Sequence, residues 1–166
     1  MIGLFFAAVA VQASPPSAIP SSGRLGFECF LADYAATVAS KTSDKRNLAI
    51  LSTFDRGSGA VLGVLDPTNL LNGTKLSTLA LVGSGPKKED PYQFVIRSAP
   101  TAGRPLMLMV EPNGEPVSAT ERGDFIGVLG FTDQKQPTHI GKCKIVTGDG
   151  ATRLFGHQNA ESATQQ

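Results

Sequence analysis

The sequence predicts an all-β fold, mainly antiparallel, with about eight to nine short strands arranged as a sandwich or a small barrel. The first observation is spacing: apolar runs of five to eight residues alternate with turn residues, and the chain contains 18 glycines and 11 prolines in 166 residues. Short runs bounded in this way are typical of all-β domains. The second observation is composition, because 41% hydrophobic and 17% charged residues are enough to form one packed core.

The candidate strands follow one another with short connections. Residues 55–59 supply two glycines for a turn between the second and third strands, and Asn113-Gly114 is a strong hairpin signal between the sixth and seventh. The seventh strand is the weakest of the set because it is polar and contains Pro116. The nine predicted strands are 25–31, 47–54, 60–65, 74–82, 92–98, 104–111, 115–120, 124–131 and 139–146.

One segment has two interpretations. Leu31, Tyr34, Ala35 and Val38 recur at helical spacing, and the surrounding residues are rich in alanine. A short helix near 31–40 and an extension of the first strand therefore both fit this part of the chain.

The two ends of the chain differ from the predicted β-domain at 25–146. Residues 1–13 form an apolar run that ends in small residues, which indicates a secretory signal peptide and an exported protein, either periplasmic or extracellular. The run is shorter than the roughly 20 residues of a membrane-spanning helix, so we expect no transmembrane segment in the mature chain. Residues 14–24 are predicted to form a Pro/Ser-rich leader, and 147–166 a flexible polar tail.

The two cysteines, Cys29 and Cys143, are placed near the two ends of the predicted β-domain. In an oxidising compartment such a pair forms a disulfide, and two buried free thiols are the alternative. The bond would join the first predicted strand to the last.

The predicted strands 104–111 and 124–131 are apolar on both faces. A strand with one face in water should instead alternate apolar and polar residues. Cover by the helix or by a second sheet would make both faces part of the core. The alternative is a surface for a protein partner or a homodimer, or the lining of an apolar ligand cavity. The residues that would form this face are Leu106, Met107, Leu108, Met109, Phe125, Val128 and Phe131.

Residues suited to catalysis are scarce. His139 and His157 are the only histidines, and neither belongs to a metal-binding or catalytic motif, so we expect no cofactor and no metal. A hydrolase that uses paired carboxylates remains an alternative, because such chemistry needs only two acidic groups. The acidic residues considered for it are Glu28, Asp33, Asp55, Asp66 and Glu111.

The charge balance argues against nucleic acid as a partner. The formal net charge is +1, which lacks the clustered positive field that nucleic-acid binding requires. We therefore expect an exported, non-catalytic β-domain with a binding or envelope-associated role. The alternatives are a small β-barrel that carries an apolar ligand and a secreted carboxylate-based hydrolase.

Overall fold

The computed structural model describes residues 22–82, 93–100, 103–112, 125–153 and 155. Its strands form a closed barrel in which each strand pairs antiparallel with its neighbours in sequence, and the last strand pairs with the first. The all-β prediction is confirmed, and the architecture is the small barrel rather than the sandwich. The strands are β1 (Ser22–Asp33), β2 (Arg46–Asp55), β3 (Ser58–Leu65), β4 (Leu76–Val82), β5 (Gln93–Ser98), β6 (Leu106–Pro112), β7 (Phe125–Phe131) and β8 (His139–Thr147).

Alternation along the strands fills the inside of the barrel. In β1, for example, Phe27, Cys29 and Leu31 are completely buried, whereas Phe30 between them is exposed. Inward residues of the other strands complete one continuous hydrophobic cluster. The ring of Phe94 contacts the rings of Phe27 and Phe54 edge to face, with centroids 5.4 and 6.0 Å apart. The interior positions of the described strands are thus occupied by packed side chains.

The disulfide is confirmed, and it joins the two strands that close the barrel. Cys29 of β1 lies directly opposite Cys143 of β8, and their sulfur atoms are bonded. Gly127 of β7 faces the same part of the interior, where a Cβ atom would overlap the Cys143 sulfur. The absence of a side chain at this position therefore makes room for the bond inside the barrel.

Residues 31–40, which fitted both a short helix and an extension of the first strand, contain both. Strand β1 continues to Asp33, and helix α1 (Tyr34–Val38) follows at once. The Asp33 carboxylate accepts a hydrogen bond of 2.8 Å from the Ala36 amide and so caps the helix. The helix lies against β1 and β8.

The predicted boundaries and the described residues overlap only in part. The signal peptide at 1–13 and the strand at 115–120 lie outside the described residues, and β1 begins at Ser22 within the predicted leader. Within the predicted tail, residues 149–153 form a helical turn, and Ala151 is completely buried. The ring of Phe155 lies against Gly63 on the outside of β3, where a Cβ atom would come within 2.9 Å of it.

Candidate functional site

The predicted apolar face is divided between the two sides of the barrel wall. Leu106, Leu108 and Phe125 point inward and belong to the hydrophobic core. Phe131 also packs against the core, but it is only partly buried. Met107, Met109 and Val128 alternate with these residues and lie on the outer surface, partly buried. The structure therefore brings together three of the seven predicted residues on the outward side of the sheet, where each is partly buried.

The outward residues continue into a longer apolar row. Strand pairing places Val95 opposite Met109, Met109 opposite Val128, and Val128 opposite Ile140. Ala80 of β4 lies opposite Val95 and begins the row. We call these five residues the apolar band; it crosses β4 to β8 on the outside of the barrel.

Ala80, Val95 and Ile140 were missing from the sequence prediction of this face. The signal for Val95 was present, because it stands between Phe94 and Ile96 in a run with no polar residue. Both neighbours face the core, and Val95 points outward yet is only 4% exposed. Ile140 gave a weaker signal, since its neighbours are His139 and Gly141.

A small hollow adjoins the apolar band on β6 and β7. It measures about 130 Å³ and lies between the two strands and the connection that joins β7 to β8. Met107, Met109, Val128 and Gly130 contribute the strand side, and residues 134–137 contribute the other side. A Cβ atom on Gly130 would lie 3.2 Å from the Cα of Pro137, so the glycine allows this connection to approach the sheet closely.

Three positive side chains border the apolar band, and Glu111 follows Met109 on the same outward face of β6. Arg97 follows Val95 on the outside of β5, Lys142 follows Ile140 on β8, and Lys135 lines the hollow. All three are exposed, and no ion pair within the described part of the chain includes them. Arg104, by contrast, pairs with Asp133 at 3.1 Å and stacks on the ring of Phe131 at 4.0 Å.

The carboxylates considered for catalysis are distributed around the barrel. Asp33 caps α1, and Glu111 accepts a hydrogen bond of 2.8 Å from Gln93. Asp66 accepts two backbone hydrogen bonds of 2.7 Å from its own connection. Glu28 of β1 lies opposite Lys144 of β8, and Asp55 is the last residue of β2. Three of the five therefore hold local structure, and they do so in different parts of the molecule.

His139 is the one histidine within the described residues, since His157 lies outside them. Burial lowers the pKa of His139, and the positive charge of Arg46 lowers it further, while Asp33 opposes the shift. In the described ranges, no group of three His, Cys, Asp or Glu residues is placed to hold a metal ion. Within the same ranges, no helix is both long enough and apolar enough to cross a membrane.

Comparison of the chain with protein-family models, with curated proteins and with solved structures found no match.

Proposed function

We propose that the chain is an exported, non-catalytic binding domain that contacts a separate protein partner through the apolar band on the outside of β4 to β8. The observation that carries this proposal is the register of the band, in which apolar side chains stand opposite one another on successive strands. Contiguous apolar surface with a polar rim is typical of interaction sites. Within the part of the chain that the structure describes, helix α1 lies against β1 and β8, and the strands belong to one barrel with no second sheet.

Charge favours a different protein over a second copy of this chain. In a symmetric dimer formed through the band, Arg97, Lys135 and Lys142 of the two copies would face one another across the contact. Like charges in that arrangement repel. A partner that surrounds an apolar patch with acidic side chains would instead complement the rim.

The apolar-ligand carrier is less well supported than the binding domain. That alternative needs an open interior, but the inward side chains, including Leu108 and Leu129, are buried in one continuous cluster. Met109 and Val128, which would have lined a cavity, face outward. Export is supported by the apolar run at 1–13 and by the disulfide, which is stable in an oxidising compartment.

An anionic hydrophobic dye, anilinonaphthalene sulfonate, tests the proposed surface because it combines apolar rings with a negative charge. We expect saturable dye fluorescence with the purified protein and a several-fold loss in Val128→Glu, which places a charge within the band. Lys142→Glu should weaken binding, and added salt should weaken it in the wild type. Arg56→Glu is the charge-matched control, because Arg56 lies in the β2–β3 turn.

Two results would overturn the proposal. Dye binding that is unchanged in Val128→Glu would place the accessible apolar surface elsewhere. A stable dimer by light scattering that Val128→Glu dissociates would identify a second copy of the chain, rather than a separate protein, as the partner.

A further inference from the structure

Strand β3 has a free edge within the closed barrel. On one side it pairs with β2 along most of its length, up to Leu65. On the other side it pairs with β4 over only three residue pairs, which end at Ala60 opposite Thr78. Beyond that point, residues 61–65 pair with β2 on one side, and on the other side they form no backbone hydrogen bond with β4 or with the connection at 66–75. Among the described residues, the backbone groups on that side of β3 therefore have no partner strand.

A bulge opens the seam between β3 and β4. Leu51 pairs with Gly63 and Ser52 with Val61, so Leu62 is an extra residue in β3. A bulge bends its strand and increases the local twist. The strand therefore bends just beyond the short section in which it pairs with β4.

The connection after β3 is fixed in a shape that leaves the edge free. The Asp66 carboxylate accepts hydrogen bonds of 2.7 Å from the amides of Leu70 and Leu71. The side chains of these two leucines are buried in the core at this end of the barrel. The connection therefore contributes to the core, and it does not pair with β3.

The free edge borders an open cleft of about 440 Å³. Val61 and Val64 are inward residues that pack against the core, but both remain partly exposed to this cleft. Ile50, which lies opposite Val64 on β2, is completely buried. Leu62 lines the same cleft and is 52% exposed.

We propose that the cleft binds an extended polypeptide segment of a partner protein, which adds a strand to residues 61–65 of β3. The backbone of the segment would hydrogen-bond with the free edge, and alternate apolar side chains would cover Val61 and Val64. Five residues of β3 span about 17 Å at roughly 3.4 Å per residue, so a segment of five to seven residues fits. The site is separate from the apolar band, because the band begins at β4 and extends away from β3.

The test uses a synthetic heptapeptide of alternating threonine and valine, capped at both ends, and the full chain labelled with ¹⁵N. Titration should shift the amide resonances of 61–65 and of the adjoining residues 74–76. It should also slow hydrogen exchange at the free edge by tenfold or more. The same peptide with N-methyl groups on alternate residues cannot donate hydrogen bonds along one edge, and it should produce neither effect.

Leu62→Lys should weaken peptide binding by tenfold or more, because a lysine on an edge strand opposes the addition of another strand. Leu62 is half exposed, so the substitution should leave folding intact. Val82→Lys is the matched control, since Val82 is 48% exposed near the end of β4, outside the cleft, and this variant should bind as the wild type does.

Three outcomes would overturn the inference. The N-methylated peptide binding as well as its parent would exclude strand addition. Shifts that map to the apolar band and disappear in Val128→Glu would assign the peptide to the other surface. A dimer that protects 61–65 without peptide would make a second copy of the chain the occupant. Failure of the dye experiment on the band leaves these results unaffected, because the two sites share no residue.

Discussion

The barrel has two seams of opposite character. Between β1 and β8 the strands pair without interruption from Leu25 opposite Thr147 to Asp33 opposite His139, and the disulfide lies in the middle. Between β3 and β4 the pairing ends after three residue pairs, and a cleft follows. Both seams close the same sheet. We infer that the first seam contributes most to closure, and the proposed peptide site lies at the second.

Removing the disulfide should produce the largest change in stability. The bond joins residues 114 apart in sequence, and in the chain-entropy model a loop of this length is worth about 4–5 kcal/mol. We expect the double variant Cys29→Ala/Cys143→Ala to lose about 2–5 kcal/mol of unfolding free energy, measured by urea denaturation. Wild-type protein in reductant should lose a similar amount. A loss below about 1 kcal/mol would mean that strand pairing alone closes the barrel.

Gly127→Ala should produce the next largest loss, because the added Cβ would overlap the Cys143 sulfur. Overpacking of a core typically costs about 1–3 kcal/mol, and we expect a loss in that range. Gly103→Ala is the control, since no atom of the described residues lies within 4 Å of the Cβ position at that residue. The same substitution in the Cys29→Ala/Cys143→Ala protein should cost much less. An equal cost in both backgrounds would show that the clash involves other atoms.

The sequence predicted the strands well because their signals are local. Alternation in β1 and the hairpin after β2 depend on neighbouring residues, and both are present, although only Gly57 lies in the turn and Gly59 belongs to β3. The disulfide also followed from two cysteines at the ends of one domain. The sequence did not decide between a barrel and a sandwich. That choice depends on whether the first and last strands pair, and no local sequence pattern shows this.

The apolar band and the free edge of β3 were harder to predict, because both are defined by pairing between strands that are distant in sequence. The double apolar face of β6 and β7 was visible in the sequence, but only the strand register joins Val95 and Ile140 to it. The free edge gave no signal, because 60–65 reads as an ordinary apolar run and the bulge at Leu62 is defined by pairing with β2.

Matched valine substitutions compare packing in the closed core with packing at the cleft beside the β3–β4 seam. Val110 is completely buried within the core, whereas Val64 is partly exposed to the cleft. Val→Ala removes two carbons, which is worth about 1.6 kcal/mol at roughly 0.8 kcal/mol each, and a cavity adds to the cost in a closed core. We expect Val110→Ala to lose about 2 kcal/mol or more and Val64→Ala about half of that, by urea denaturation. Equal losses would mean that the cleft closes in solution.

The smallest expected effect is a pH dependence at the end of the β1–β8 seam. Burial holds the pKa of His139 below its ordinary value of 6.5, and the positive charge of Arg46 lowers it further. The histidine therefore binds a proton more readily in the unfolded chain than in the folded chain. Stability should therefore be constant above about pH 6.5 and should decline as the pH falls below it. The measurement is urea denaturation between about pH 5.5 and pH 8 in a His157→Gln background, where His139 is the one remaining histidine. His139→Gln should flatten the profile in this range, because the residue that replaces the histidine does not titrate. A profile that keeps its slope in His139→Gln would assign the dependence to groups away from this seam.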